Sequence, residues 1–479
     1  MEGVAEVTEA QVPPSYDEEQ AHRRRMILVT ACLALFISTL DNTVANVALP
    51  RIGDDLNAGT SALQWVVDSY IVVRGCLLLS AGAAGDRFGR RRVFRLGLAG
   101  FGVGSLLCSL APTVGFLIAF RVLQALGGCF LVPSSLALIT DAYPDRAERA
   151  RAIGIWSATT AASTGLGPPV GGLLVEFLGW RSVFWINLPI VVAAIWLATR
   201  YAPEGRRDPS RKLDGLGQVL VAVFLITLTS GFIEASTAGW SDRLVVGLFV
   251  IAALSLIGFV GVELHVDQPL LDPRLFRSRP FTGAAVVATT SFVVFAGFLF
   301  VNTLYLQDVL GYSPLVAGLL VAPSTLGNVV LSPLSGRMTA AIGPRRPVLL
   351  AATSLLAGSL VLAAVATHDD HVGLLILGYV LVGSGVGLVN TPITDAAVAG
   401  LPPERAGVAG AITSAFRQVG NSLGVALLGT IMASGVTAIA GLHAAYLTAA
   451  GFAALTGVVG MVTFTTTRRA TPSDARAPD

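Results

Sequence analysis

The chain has 479 residues, 53% hydrophobic and only 13% charged, with a mean hydropathy of +0.71 and a net charge of +2. A spanning helix needs about 20 mostly apolar residues, so this composition describes a membrane protein with many crossings. The small net charge argues against a nucleic-acid partner. Lys212 is the only lysine, so the chain lacks the Gly-x4-Gly-Lys-Ser/Thr phosphate loop of an ATP-driven machine.

Residues 1–26 read as a polar tail ending in Arg23-Arg24-Arg25, and the apolar stretch behind it is too long for the core of a cleavable signal peptide. Fourteen apolar stretches follow, near 27–49, 62–82, 94–112, 114–138, 152–175, 182–201, 215–234, 244–264, 282–306, 314–336, 347–366, 373–394, 407–434 and 444–465. They predict an all-α membrane protein with fourteen transmembrane helices. Six fall in residues 27–201, two in a linker at 202–281 and six in 282–465, before a short tail at 466–479. The four cysteines, Cys32, Cys76, Cys108 and Cys129, lie in apolar stretches without metal-ligand spacing and read as small core residues.

Arginines mark every second loop: Arg87 to Arg92 after the second stretch, Arg146 to Arg151 after the fourth, Arg206 to Lys212 after the sixth, Arg274 to Arg279 after the eighth and Arg337 to Arg346 after the tenth. The alternate loops carry only Arg51, Arg181 and Arg243. By the positive-inside rule both termini are cytoplasmic, and the number of crossings is even.

The sequence repeats. Gly82-x6-Gly89-Arg90-Arg91 returns as Gly336-x6-Gly343-Pro344-Arg345-Arg346, and Pro133 with Pro144-Asp145-Arg146 returns as Pro392 with Pro403-Glu404-Arg405. The first six and last six crossings are therefore two related halves, with an inserted hairpin between them. Two repeated halves imply a rocking transporter whose site lies near the midplane. The halves differ in charge: the counterpart of Asp86 is Ala340, and that of Arg121 is Val380.

Intramembrane charges are costly and mark function by default. Asp41 lies in the first stretch, Asp68 in the second and Arg121 in the fourth. Counted at ~1.5 Å per residue, all three sit ~10–14 Å below the outer surface. This pattern suits a proton carrier at Asp41, with Arg121 favouring the charged carboxylate and burial opposing it. Gln124 projects from the same helix face as Arg121. Asp68 reads either as a second proton site or as an anchor for a cationic substrate. Gly82, Asp86, Arg87, Gly89, Arg90 and Arg91 form a tight, charged turn that reads as a conformational latch. Asn46, Gln124, Trp65, Asn390 and Arg417 are the candidates for substrate contact. Arg74, deep in the second stretch, matches no motif.

Four motifs together resemble those of the major facilitator superfamily, and within it the fourteen-span drug:proton antiporters. They are Leu40-Asp41-Asn42-Thr43-Val44-Ala45-Asn46-Val47-Ala48-Leu49-Pro50, the Gly82 to Arg91 loop, Arg121-Val-Leu-Gln124-Ala-Leu-Gly127-Gly128, and Gly165-Leu-Gly167-Pro168-Pro169-Val-Gly171-Gly172. Ala125 and Ser163 stand where the last two motifs usually carry Gly. The resemblance covers roughly residues 25–465. It implies the major facilitator fold, with proton coupling at Asp41, Arg121 and Asp68 and an antiport role for Gly165, Gly167, Pro168, Gly171 and Gly172. The expected protein is a monomeric, proton-driven exporter of amphiphilic drugs or antibiotics in the bacterial inner membrane. It would not be an enzyme, and would use no metal and no cofactor beyond the proton. A proton-coupled importer and a non-transporting sensor or scaffold are the alternatives.

Overall fold

The computed structural model describes residues 14–204, 214–266, 269–367, 371–398 and 406–464. The segment holding Arg206, Arg207, Arg211 and Lys212, the Pro403-Glu404-Arg405 repeat and the tail at 466–479 lie outside them. Among the described residues the chain is helical throughout, as apolar surroundings demand: a helix satisfies its backbone groups within its own segment.

The first group of helices is α1 (Pro14–Leu56), α2 (Thr60–Phe88), α3 (Arg90–Ser109), α4 (Val114–Gly128), α5 (Leu131–Ala142), α6 (Arg146–Leu178), α7 (Ser182–Trp185) and α8 (Asn187–Tyr201). A hairpin of α9 (Gly215–Ala238) and α10 (Arg243–Glu263) follows. The last group is α11 (Arg279–Leu304), α12 (Pro314–Ile342), α13 (Arg345–Val365), α14 (Val372–Val398), α15 (Ala406–Ala433) and α16 (Ala438–Thr463). The predicted fourth stretch is divided into α4 and α5, because Pro133 has no N–H to give to the Cys129 carbonyl. In α14 the same problem has another solution. Pro392 leaves the Leu388 carbonyl without its helical donor, the Ser335 hydroxyl of α12 donates to it at 2.5 Å, and the helix stays whole.

Among the described residues ten segments, with α4–α5 and α7–α8 each taken as one, are long and apolar enough to cross a membrane. An eleventh is α2, if Thr60–Leu78 and Ser80–Phe88, bent by 57°, form one crossing. The helices α3, α6 and α15 have spanning length but do not meet that apolarity. Polar side chains and small residues dilute them because they face other helices rather than lipid.

One set of pairings appears twice. In the first bundle α1 packs on α6 and α8, α2 on α4, and α3 on α4 and α8; in the second, α11 packs on α15 and α16, α12 on α14, and α13 on α14 and α16. The bundles meet along two seams, α6 with α12 and α2 with α15, while α9 packs against both α2 and α15.

At the arginine-poor end the bundles share one core, in which Val44, Leu49 and Val66 join Val301, Tyr305, Val321 and Val425. At the arginine-rich end the cores are separate: Ile27, Phe94 and Leu138 in one bundle, Phe281, Val348 and Ile393 in the other. The side-chain hydrogen bonds between the bundles agree. Gln64 to the Val425 and Ala426 carbonyls, Gln307 to the Val47 carbonyl and Leu315 N–H to Glu176 all lie at the arginine-poor end. The bundles are thus closed at the arginine-poor end and parted at the arginine-rich end.

Candidate functional site: two buried carboxyls on opposite faces of one layer

Asp41 is 2% exposed and Arg121 is wholly buried. Arg121 Nη1 donates to Asp41 Oδ2 at 2.5 Å, while Oδ1 accepts from Gln124 Nε2 at 2.8 Å and from Asn187 Nδ2 at 2.9 Å. Arg121 Nη1 also donates to Gln124 Oε1 at 2.8 Å, and its Nε to the Val66 carbonyl at 3.1 Å. Ser105 accepts from Asn187 Nδ2 at 2.9 Å, and its hydroxyl donates to the Phe184 carbonyl. The Tyr70 ring lies 4.3 Å from the guanidinium carbon. Helices α1, α2, α3, α4 and α8 converge here, and α7 supplies the Phe184 carbonyl. Gly104 and Gly127 make this convergence possible, since a Cβ on either would strike backbone of the facing helix.

The depth read from the sequence places Asp41 beside Arg121, and the structure joins them. Gln124, a candidate for substrate contact, spends both ends of its amide inside this network. Asn187 and Ser105 were not singled out in the sequence. Asn187 stands two residues before Pro189 at the start of α8, where an amide reads as a helix-end residue.

Asp68 lies at the same depth on the other side of α2. It is fully buried, and among the described residues neither carboxylate oxygen makes a hydrogen bond of normal geometry. The face of α2 that carries it meets α15 in antiparallel register: Gln64 against Val425 and Ala426, and Gly75 against Gln418. Ser422 of α15 is the neighbouring hydroxyl, and it exchanges a 2.9 Å hydrogen bond with Thr229 of α9. Behind the same seam Gln218 of α9 donates to the Cys76 carbonyl at 2.9 Å, and Ser61 meets Ser236 at 3.2 Å. The inserted hairpin therefore covers the back of the seam that buries Asp68, outside the space between the bundles.

The Gly-Pro segment of α6 has two working faces. A Cβ at Gly167 or Gly171 would meet Thr43 or Val44 of α1, whereas one at Gly165 or Gly172 would meet Thr325 or the Pro314 carbonyl of α12. A Cβ at Gly318 of α12 would strike the Pro168 carbonyl. Ser163, in place of the usual Gly, donates its hydroxyl to the Phe36 carbonyl at 2.6 Å. Ala125 is fully buried.

In the charged turn, Gly89 has φ 99°, a conformation that L side chains rarely adopt. Arg90 pairs with Asp86 at 3.1 Å and with Asp141 at 2.6 Å, and Arg91 donates to the Thr199 carbonyl at 2.5 Å. Arg87 is exposed and stacks on Phe88, while a Cβ on Gly82 would meet nothing. All of these contacts stay within the first bundle. Arg181, one of the three arginines at the arginine-poor end, is neutralised by Asp55 at 2.7 Å.

Of the other candidates, Asn46 is buried and donates to the Asn42 carbonyl, and Trp65 is half-buried on α2. Arg417 donates at 3.1 Å to the Asn390 carbonyl and to Thr394 Oγ1.

Paired seams, twin bundles and a buried ion pair define the class of a two-bundle membrane transporter. Residues 31–425 match the Major Facilitator Superfamily, and the chain belongs to that family. It is 37% identical over 413 residues to the multidrug resistance protein Stp of Mycobacterium tuberculosis, covering 86% of this chain and 76% of that one. It is also 37% identical to the tetracenomycin C resistance and export protein of Streptomyces glaucescens (85% and 76% covered) and to the puromycin resistance protein pur8 of Streptomyces alboniger (87% and 83% covered). Among solved structures, a bacterial homologue of the human lysosomal transporter Spinster aligns with a TM-score of 0.63 at 19% identity, covering 92% of this chain and 97% of that one. The D-xylose-proton symporter aligns with a TM-score of 0.65 at 15% identity, covering 92% and 98%. These two share the fold.

Proposed function

We propose that the chain is a proton-driven exporter of amphiphilic drugs or antibiotics, a monomer in the bacterial inner membrane. It has fourteen crossings arranged as two six-helix halves and an inserted hairpin, and the arginine-rich end faces the cytoplasm. The export direction rests on relatives named for drug resistance and efflux. The Gly-Pro seam between α6 and α12 supports it.

The observation that carries the coupling is the contrast between the two carboxyls. Asp41 has three donors and a counter-ion, so it acts as the fixed partner of Arg121. Among the described residues Asp68 has no counter-ion and only the Ser422 hydroxyl beside it, and burying a lone charge costs several kcal/mol. The closed α2–α15 seam therefore accommodates Asp68 as the neutral acid. A proton taken from outside lets the outer seam close. Its loss toward the cytoplasm leaves a buried charge that drives the seam open again, and the drug leaves outward.

The test is Asp68→Asn in energised inverted vesicles. The variant should close but lose its proton-dependent reopening. Uphill efflux should fall at least tenfold and lose its dependence on pH, while substrate binding persists. Wild-type uphill efflux by the variant would remove Asp68 from the coupling.

A further inference from the structure

The α2–α15 seam has a back, covered by α9, and a front. Val72 and Cys76 of α2 pack at the back with Val419 of α15 and Leu225 of α9. At ~100° per residue, Arg74 lies ~200° around α2 from both Val72 and Cys76, and Arg417 lies ~200° around α15 from Val419. Both arginines thus point to the front, between the bundles. They also share a depth. Arg74 is six residues from Asp68 and Arg417 five from Ser422, so each lies ~8–9 Å toward the open end.

The contacts agree with this placement. Arg74 Nη1 reaches the Ser38 carbonyl of α1 at 3.4 Å, and its guanidinium lies 5.8 Å from the Tyr70 ring. Arg417 holds the Asn390 carbonyl and Thr394 of α14, 5.8 Å from the Phe292 ring. Among the described residues neither arginine forms an ion pair, and the Nε of each is buried without an acceptor. Asp395, next to Thr394, is exposed and does not pair with Arg417. Both arginine side chains are half-buried rather than sealed. The carboxyls that would attract a cation are, by contrast, withdrawn: Asp41 is consumed by Arg121, and Asp68 is enclosed in the seam.

We propose that Arg74 and Arg417 form a two-armed anion site, one guanidinium from each bundle, that takes a carboxylate, phenolate or enolate on an aromatic substrate. The site deepens the exporter reading and rests on it. Guanidinium is weakly hydrated, stays charged and matches a planar oxyanion with paired donors. Unpaired intramembrane arginines are costly, so a ligand that completes them gains what the protein leaves unsatisfied. Tyr70 and Phe292 offer ring faces beside the charges. The charge preference is opposite to the cationic one read from Asp68 in the sequence.

The test is equilibrium binding of two dyes with the same xanthene skeleton, anionic fluorescein and cationic rhodamine 123, to the purified full chain by fluorescence anisotropy. The wild type should prefer fluorescein. Arg74→Gln and Arg417→Gln should each weaken fluorescein at least tenfold and leave rhodamine 123 unchanged or tighter. Arg→Lys variants, which keep the charge but lose the paired donors, should fall between, and they decide the matter if the Gln variants do not purify as folded protein. A wild-type preference for rhodamine 123, equal losses for both dyes, or no loss in the variants would overturn the site. Binding needs no proton gradient, so selective fluorescein binding without uphill efflux would overturn the exporter reading and leave the anion site standing.

Discussion

The two seams between the bundles occupy equivalent places in the repeat and are built from opposite materials. In the register set by Gly82 and Gly336, Gln64, Asp68 and Arg74 of α2 correspond to Gly318, Ala322 and Asn328 of α12. Where Gln64 reaches the carbonyls of α15, Gly318 brings backbone against the Pro168 carbonyl of α6. In the register of Ala152 and Ala411, Ser422 corresponds to Ser163 and Arg417 to Ala158. One seam is therefore a bearing of glycine and proline. The other carries an acid, two guanidiniums and an amide. The hairpin sits behind the charged seam, and its Gln218, Thr229 and Ser236 bond to polar groups that would otherwise face lipid. The comparison gives the insertion a physical purpose. A seam with charge chemistry needs cover, because unsatisfied polar groups in hydrocarbon cost several kcal/mol each.

The largest effect is expected at the ion pair that anchors the first bundle between these seams. Asp41→Asn leaves the Arg121 guanidinium buried without a counter-charge, and breaking a buried pair on one side costs about 3–5 kcal/mol. The yield of folded protein should collapse, and export with it. Asp41→Asn combined with Arg121→Gln should restore folded protein without restoring export. Both outcomes are read by size-exclusion profile and by uphill efflux in inverted vesicles. A stably folded, well-expressed Asp41→Asn single variant would show that the pair is not holding the bundle together.

Part of this was legible in the sequence. The meeting of Asp41 and Arg121 follows from counting residues along apolar stretches, because a helix converts position into depth. The glycine spacing in α6 foretold close approach, and the repeat foretold matched bundles. Direction was harder to read. Asp68 stands in a helix buried on several sides, with no polar stripe to show which neighbour it faces. Only the contacts of Gln64 and Gly75 with α15 settle that it points into the seam. Gln124 carried a usable signal, since its place three residues from Arg121 puts both on one face, yet it read equally well as a cavity residue. Asn187 and Ser105 gave none: an amide at a span end and a serine among glycines describe caps and packing in most chains. Arg74 stayed without a role because its counterpart arm, Arg417, is 343 positions away in the sequence.

The glycine-proline seam can be broken by bulk. Gly318→Leu places a side chain against the Pro168 carbonyl, where a Cβ alone already forces backbone to move. The arginine-poor end should no longer close fully. Uphill efflux should drop about tenfold, and outer-facing cysteine probes should label faster, while dye binding is retained. If Gly318→Leu exports as the wild type does, the seam is not a closing surface. The same bulk at Gly247 of α10, where a Cβ would meet nothing, should leave export within about twofold of wild type.

The smallest effect tests the hairpin. Thr229→Val removes the hydroxyl that bonds Ser422 and keeps its shape, so the loss is that of one interhelical hydrogen bond, about 0.6 kcal/mol in a membrane setting. That corresponds to about threefold in an equilibrium. A hairpin that only filled space would transmit none of it to coupling. A hairpin that orients Ser422 beside Asp68 should shift the pH dependence of uphill efflux while leaving dye binding unchanged, because the anion-binding arms lie on the opposite face of the same helices. Ser422→Ala should shift it at least as far, and adding Thr229→Val to it should change nothing further, since the hydroxyl that Thr229 orients is already gone. Additive effects, or a change in dye binding instead of in pH dependence, would detach the hairpin from Asp68 and leave it as packing.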